Sequence, residues 1–222
     1  MSYAYKKANP VTNSEATVES PHRQILGVVM AAGYSSRFGA GDKRMARWPA
    51  TGRTLLGETI HQLRQVLADV VVVIRPDDQP QSLGIPDDSD IIRARHAEQG
   101  LGASIADALG AIQASATWSQ RHSLALMLGD MPTIQPTSVR QLLQRASRQH
   151  IVRPTYQGRP GHPVVFGRAY WPALRQLPAA SGARQVIQQH LSHVLHIAVD
   201  DPGVVQDIDT LEALTAASRR SV

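Results

Sequence analysis

The chain of 222 residues suits one α/β domain with short extensions, because a domain usually takes about 100–200 residues. It has no cysteine, which excludes disulfides, cysteine metal sites and thiol nucleophiles. The net charge of +5 suits anionic small substrates, and no run of five like charges forms the basic patch that is typical of nucleic-acid binding. Nucleic acid is therefore disfavoured as a partner.

The N-terminal residues differ in composition from the rest of the chain. Residues 1–22 are rich in Ser, Thr, Asn, Pro and Lys without a hydrophobic period, and they predict a flexible N-terminal tail. Residues 23–222 predict one folded domain. The longest apolar stretches fall far short of the ~20 residues that a membrane helix needs, and no secretory segment is evident. We therefore expect a cytoplasmic protein that does not bind a membrane.

From residue 25 onward, apolar runs alternate with helical stripes. In chain order, the pattern predicts a strand at 25–31, a helix at 55–67, a strand at 70–74, a helix at 101–112, a strand at 124–128, a helix from Pro136, a strand at 163–167, a helix at 181–191 and a strand at 194–199. This alternation predicts an α/β fold of three layers, a mostly parallel open sheet with helices on both faces. Ligands of such folds bind beyond the carboxyl ends of the strands.

A segment of small residues follows the first predicted strand and reads MAAGYSSRFGAGDK over residues 30–43. Small residues let the backbone approach a ligand, and successive amides can point at phosphate oxygens. Arg37 offers a planar fork for phosphate, and Lys43 offers a point charge. The segment matches neither a Walker loop nor a Gly-x-Gly-x-x-Gly fingerprint, which disfavours P-loop NTPases and Rossmann dehydrogenases. An ordinary tight βα turn is the alternative.

Aspartates stand at two further places where a sheet edge is expected. Asp130 follows the predicted strand at 124–128 and can hold Mg²⁺, which prefers oxygen ligands, although a turn aspartate is the alternative. Near the C-terminus, Asp207 and Asp209 belong to an Asp-Ile-Asp-Thr segment, in which Asp209 with Glu212 also fits a helix cap.

Two glycine-containing segments complete the set of motifs. Gly100 and Ser104 stand at the start of a predicted helix, whose free amides can meet a base edge or an anion, or can simply form a helix cap. Gly161 and His162 belong to a turn-rich Gly-His-Pro loop that enters a predicted strand, and His162 is either structural or a donor to a substrate phosphate.

These motifs, in this order, resemble those of the MobA-like nucleotidyltransferase family over about residues 25–215. The family signature is roughly Leu-Ala-Ala-Gly-x-Ser-x-Arg-Met-Gly-x-x-Lys. This chain departs from the signature with Met30 for the leading Leu, Phe38 for Met, one additional residue between Gly39 and Lys43, and no Leu-Pro-Leu after the lysine. The Gly-His-Pro loop is similar to that of the molybdenum cofactor cytidylyltransferase branch.

The resemblance assigns expected roles residue by residue. It makes residues 23–222 a nucleotidyltransferase domain with a Rossmann-like fold, and it implies that Arg37, Lys43 and Asp130 are catalytic and that Gly161 and His162 bind the acceptor. Asp130 and Asp209 are the implied ligands of a Mg²⁺ cofactor. The implied nucleotide-binding residues are Ala31, Ala32, Gly33, Ser35, Ser36, Arg37, Lys43, Gly100 and Ser104.

The implied reaction transfers a nucleoside monophosphate, CMP from CTP, to a phosphorylated acceptor and releases pyrophosphate. Molybdopterin bearing its metal is the implied acceptor, and a molybdoenzyme or a cofactor chaperone is a candidate protein partner. The alternatives are a guanylyltransferase of the same pathway, a cytidylyltransferase for a sugar or polyol phosphate, and a nucleotide-binding or cofactor-chaperone protein without catalysis. Ala32 favours CTP, because the guanylyltransferase branch typically has glycine there.

Overall fold

The computed structural model describes residues 24–34 and 41–218 of the chain. The predicted tail, residues 1–22, lies outside the described residues, so its boundary with the domain stays a prediction. Within the described part, none of the helices is long and apolar enough to cross a membrane.

The described residues form one sheet of eight strands in the order β3-β2-β1-β4-β7-β5-β6, with β8 paired to β5. The strands are β1 (Ile25–Met30), β2 (Val70–Ile74), β3 (Asp90–Arg93), β4 (Ser123–Leu128), β5 (Ile151–Tyr156), β6 (Arg159–Pro160), β7 (Val164–Gly167) and β8 (Val194–Ala198). β1 to β4 are mutually parallel, and β8 is parallel to β5, whereas β7 runs antiparallel to both β4 and β5. Every residue of β1 and β2 is buried, as expected for strands covered on both faces.

Helices cover both faces of this sheet, and the apolar residues form three clusters, one on each face and a third that contains Trp48 and Leu214. The helices are α1 (Leu55–Arg64), α2 (Leu101–Ala114), α3 (Pro136–Leu143), α4 (Trp171–Arg175), α5 (Arg184–Gln189) and α6 (Leu211–Ser218). On one face, α2, α4 and α5 pack on alternate strand residues such as Leu26 and Leu126. On the other face, α1 and α3 pack on the intervening residues, such as Val29 and Met127.

The predicted α/β fold, a mostly parallel open sheet between two helical layers, is confirmed. The sequence prediction missed β3, β5, β6 and α4 and made the helix at 181–191 too long, since α5 covers only Arg184–Gln189. β3 is a short, partly exposed strand with a charged residue at each end. β5 contains Arg153 and Pro154, and a proline inside an apolar run argues against a central strand.

Asp201 fastens the C-terminal segment to the loop after β4. Its side chain is 1% exposed, and its two oxygens accept hydrogen bonds from the backbone amides of Gln135 at 2.9 Å and Gly203 at 2.9 Å. Gly203 packs so closely that an added Cβ would lie 2.4 Å from the Thr133 carbonyl oxygen. The chain beyond Asp201 is thereby held against the carboxyl end of β4.

We expect Asp201→Ala to lower the free energy of unfolding by about 2–4 kcal/mol, because two backbone amides lose a charged acceptor inside the protein. Asp200→Ala is the matched control, since Asp200 is exposed, and its effect should stay within about 0.5 kcal/mol. Urea unfolding followed by circular dichroism measures both. Equal midpoints for the two variants would contradict this role of Asp201.

Candidate active site

A pocket of about 550 Å³ opens at the carboxyl ends of β1 and β4. Its walls are the turn after β1, the first turn of α2, the end of β4 and one C-terminal aspartate. The residues that line it are Met30, Ala31, Ala32, Gly33, Tyr34, Lys43, Arg44, Ala97, Glu98, Gly100, Leu101, Ser104, Leu128, Gly129, Asp130 and Asp209. This is the edge of the sheet at which ligands of open α/β folds bind.

The pairing of β4 with β1 places Asp130 at this pocket. Leu128, the last residue of β4, lies opposite Met30, and the Gly129 amide donates to the Met30 carbonyl oxygen at 3.0 Å. Gly129 has little room beside it, because an added Cβ would lie 3.0 Å from a methyl group of Leu56 and 3.2 Å from the Met30 carbonyl oxygen. Asp130, the next residue, lines the pocket.

Asp130, Asp207 and Asp209 form a group of carboxylates that lie within 4.8 Å of one another. The Ile208 amide donates to the Asp130 carbonyl oxygen at 3.0 Å and so fixes the C-terminal pair beside β4. Lys43 bridges the group, because its Nζ lies 2.6 Å from Asp130 Oδ2 and 2.6 Å from Asp209 Oδ1. The cap of α6 involves Thr210, whose Oγ1 accepts from the Ala213 amide at 3.1 Å.

The pKa values of this cluster respond to burial and to the packing of charges. Burial raises the pKa of Asp130, the positive charge of Lys43 offsets part of that effect, and the negative charge of Asp207 adds to it. Burial also opposes the charge on Lys43, but attraction to Asp130 and Asp209 outweighs it and raises the pKa of Lys43. Among the described residues, the Lys43 ammonium contacts two of the three carboxylates, Asp130 and Asp209.

This donor set fits a divalent metal. Asp130 Oδ1 is buried and has no hydrogen-bond partner among the described residues, while Oδ2 holds Lys43. Three carboxylates offer only oxygen ligands, which are the ligands that Mg²⁺ and Mn²⁺ prefer. An orphaned carboxylate oxygen facing two other acidic groups is costly unless a cation completes the site.

The turn after β1 is held by Arg44, which is 5% exposed. Its guanidinium makes a two-pronged ion pair with Asp78, at 2.6 and 2.7 Å, and also binds Asp42 at 2.6 Å. The same group donates to the Ala31 carbonyl oxygen at 2.6 Å. Forked ion pairs of this kind fix the position of the guanidinium group. Arg44, which directly follows Lys43, is therefore held against the backbone of the turn.

Arg75 supports the same turn from the end of β2. It donates to the carbonyl oxygens of Ala32 and Gly33, and its guanidinium lies 4.1 Å from the centre of the Tyr34 ring. Asp42 lies 3.6 Å from this guanidinium. Three carbonyl oxygens of the turn, those of Ala31, Ala32 and Gly33, therefore accept hydrogen bonds from arginines.

The start of α2 forms the opposite wall of the pocket. Gly100 has a φ of 124°, and an added Cβ would lie 2.6 Å from the Ala179 carbonyl oxygen, so this position requires glycine. Ser104 is 3% exposed, and its hydroxyl donates to the Gly100 carbonyl oxygen at 3.2 Å. The Ala179 carbonyl oxygen accepts a hydrogen bond from the Gly102 amide at 3.0 Å, so the loop around Ala179 borders the start of α2.

Gly161 and His162 lie outside the pocket lining, between β6 and β7. The His162 amide donates to the Val204 carbonyl oxygen at 2.7 Å, and an added Cβ at Gly161 would lie 2.1 Å from that oxygen. His162 Nδ1 is buried without a hydrogen-bond partner among the described residues. Burial, and then the charge of Arg153, lower the pKa of His162.

Most of the residues singled out by sequence meet at one place. The pocket is lined by Ala31, Ala32, Gly33, Lys43, Gly100, Ser104, Asp130 and Asp209. Ser35, Ser36 and Arg37 lie outside the described residues, and their expected contacts remain predictions.

The sequence analysis left out Arg75 and Asp78, and it ranked Asp207 below Asp209 as a metal ligand. One signal for this group was present, since Arg75 and Asp78 directly follow a buried strand that the alternation places next to β1. Charged side chains at the carboxyl end of such a strand are expected at the edge of the sheet where ligands bind.

The fold is that of a nucleotidyltransferase. The model of the MobA-like NTP transferase domain matches residues 27–219, and the chain belongs to this family. The molybdenum cofactor cytidylyltransferase of Escherichia coli (strain K12) is 26% identical over 87% of this chain and 95% of its own length.

Solved structures agree with this assignment. The crystal structure of Rv0371c from Mycobacterium tuberculosis H37Rv superimposes with a TM-score of 0.74, at 26% identity over 88% of this chain and 98% of that one. A complex of Rv0371c with manganese has the same fold, with a TM-score of 0.70 at 24% identity over 88% of this chain and 98% of that one.

We expect Lys43→Ala to bind Mn²⁺ about tenfold or more tightly in the absence of nucleotide, because the ammonium competes with a cation for Asp130 and Asp209. Electron paramagnetic resonance of free Mn²⁺ measures this affinity. Arg47→Ala is the control, since Arg47 is exposed on the same segment. Unchanged or weaker Mn²⁺ binding by Lys43→Ala would show that the lysine does not compete for the metal site.

Proposed function

We propose that this nucleotidyltransferase uses Mg²⁺ to transfer CMP from CTP to a phosphorylated acceptor, with release of pyrophosphate. The acceptor that we propose is the molybdenum cofactor, whose cytidylyltransferase in Escherichia coli is the 26% identical relative. The observation that carries the proposal is the carboxylate cluster with Lys43 at the mouth of a pocket formed by the turn after β1 and the start of α2.

The pocket suits a triphosphate because Lys43 and the small residues of the turn after β1 line it. Lys43 contacts the carboxylates, and it lines the pocket together with the turn from Ala31 to Gly33. Arg37, which follows this turn in the sequence, is the second proposed donor to the phosphates. Positioned donors of this kind stabilise the charge that develops in the transition state.

Asp130 and Asp209, with Asp207 beside them, would hold Mg²⁺, which neutralises phosphate charge when it is bound. With the cation on these carboxylates, the Lys43 ammonium would be available to the triphosphate. An oxygen of the acceptor phosphate attacks the α-phosphorus of CTP, a new P–O bond forms, and the bond from the α-phosphorus to the bridging oxygen of pyrophosphate breaks. The acceptor phosphate is already ionised, so the step needs no general base.

The preference for CTP rests on the turn after β1. Ala32 is buried, 1% exposed, and borders the pocket, so its methyl group takes up space that glycine would leave open. The smaller pyrimidine ring fits such a narrowed pocket better than guanine. Gly161 and His162 are the proposed contacts on the acceptor side, and a molybdoenzyme or a cofactor chaperone would take the product.

Competition between triphosphates tests the proposal. With Mg²⁺ and the molybdenum cofactor, kcat/KM for CTP should exceed that for GTP by about 10- to 200-fold, the range for discrimination by pocket shape alone. Ala32→Gly should reduce this ratio, whereas Ala46→Gly, outside the pocket lining, should leave it unchanged. GTP used as well as CTP by the wild-type enzyme would refute the cytidylyl assignment, and absence of pyrophosphate release with every triphosphate would refute the proposed acceptor.

A further inference from the structure

Trp48 lies in the segment that stands where the family signature has Leu-Pro-Leu, and it is 2% exposed. It belongs to the third apolar cluster, which is separate from the clusters on the two faces of the sheet. The buried members of this cluster are Trp48, Leu55, Ile208, Leu214 and Ala217. Trp48 has the largest side chain among them, so its ring supplies the largest share of the apolar contact area.

The cluster joins two stretches of chain that carry charged groups of the candidate active site. Trp48 stands on the same segment as Lys43, shortly after it. Ile208 is 0% exposed and lies between Asp207 and Asp209, both of which belong to the carboxylate group. Packing within one cluster therefore links the stretch that carries the lysine to the stretch that carries two of the carboxylates.

The C-terminal helix α6 is attached to the domain through the same cluster. Among the α6 residues whose side chains are described, the buried ones are Leu214 and Ala217, and both belong to this cluster and to neither face cluster. The helix begins directly after the Asp-Ile-Asp-Thr segment. A loss of packing around Trp48 would therefore loosen α6 and, with it, the aspartates that precede the helix.

Backbone hydrogen bonds hold Trp48 in a closed loop. Its amide donates to the Arg53 carbonyl oxygen at 2.7 Å, and its own carbonyl oxygen accepts from the Gly52 amide at 2.8 Å. The Leu55 amide, at the start of α1, donates to the Ala46 carbonyl oxygen at 2.7 Å. Because α1 packs on the sheet, this loop gives the ring of Trp48 a fixed position against which the C-terminal segment can pack.

We propose that Trp48 is a positioning residue for the metal site: through the cluster that it shares with Ile208 and α6, it holds Asp209 beside Asp130. The inference rests on the proposed function and deepens it. The Ile208 amide already ties the main chain to the Asp130 carbonyl oxygen at 3.0 Å, and the packing of the Ile208 side chain fixes the direction of the neighbouring carboxylate. Trp48 itself lies outside the pocket lining and acts only through Asp209.

The affinity for Mn²⁺ alone, measured by electron paramagnetic resonance of the free ion, tests this role without any reaction. The background is the full chain with Lys43→Ala, because the ammonium then no longer competes for Asp130 and Asp209. In this background, Trp48→Leu should weaken Mn²⁺ binding about tenfold or more, as is usual when a residue that supports a metal ligand is replaced.

Trp171→Leu is the matched control, since Trp171 is 1% exposed and packs in the cluster under α2, α4 and α5. It removes the same ring from the interior and should leave the Mn²⁺ affinity unchanged, at a temperature where circular dichroism shows every variant to be folded. Trp48→Phe keeps a ring and should give an intermediate loss. Together with Trp171→Phe, it makes the same comparison if a leucine variant does not fold.

An Asp209→Asn background distinguishes positioning from a general loss of stability. If Trp48 acts through Asp209, the two substitutions are not additive, because the second removes what the first would misplace. Trp48→Leu should then have little further effect on the Mn²⁺ affinity. A purely structural role of the tryptophan would give the same loss whether or not Asp209 is present.

The outcomes separate this inference from the proposed function. Equal weakening by Trp48→Leu and Trp171→Leu would overturn the positioning role, and so would an undiminished effect of Trp48→Leu in the Asp209→Asn background. Absence of Mn²⁺ binding by the Lys43→Ala chain would overturn it as well, since no metal site would remain to be positioned. Mn²⁺ binding that depends on Trp48, in a chain that transfers no nucleotide, would support the positioning role and contradict the proposed function.

Discussion

Lys43 joins three distant parts of the chain at one point, and the charge balance of the pocket depends on this contact. Its ammonium lies 2.6 Å from Asp130, at the end of β4, and 2.6 Å from Asp209, in the segment before α6. The ion pairs are largely buried on the Lys43 and Asp130 side, with side-chain exposures of 14% and 17%. A cation is needed here because carboxylates brought this close repel one another and are partly removed from water.

The arginine network behind the turn explains how this arrangement is held in place. Arg44 adjoins Lys43 in sequence, and its ion pairs with Asp42 and Asp78 connect the turn to the chain after β2. Asp201 plays the corresponding part for the C-terminal segment, through the amides of Gln135 and Gly203. The carboxylates therefore rest on rigid supports, while Lys43, as a flexible point charge, is the group that can move between cluster and substrate.

The sequence predicted the fold well, because the signals that determine it are local. The run at 70–74 and the proline at 136 predicted β2 and the start of α3, and both elements are where they were expected. β5 escaped prediction because Arg153 and Pro154 interrupt its apolar pattern. Arg153 nevertheless lies in a strand because β5 pairs with both β7 and β8 in the sheet.

The pocket could be predicted in part, and the limit has a physical reason. Asp130 and Asp209 stand in recognisable motifs, but their contact with Lys43 spans 87 and 166 residues, and the motif alone did not show that the additional residue before Lys43 leaves its reach intact. The ion pair between Arg44 and Asp78 leaves no local signature, since the two residues are 34 apart in sequence. Interactions of this range are visible only in the folded chain.

Pyrophosphate release by Asp130→Asn tests the central claim, that the carboxylate cluster is the catalytic centre, most directly. With CTP, the molybdenum cofactor and saturating Mg²⁺, we predict a loss of at least about 100-fold relative to the wild type, because the amide keeps the shape but removes the charge that holds the cation. Asp200→Asn should keep full activity, and thermal unfolding should show that both variants are folded. A folded Asp130→Asn enzyme that retained most of its activity would contradict the account.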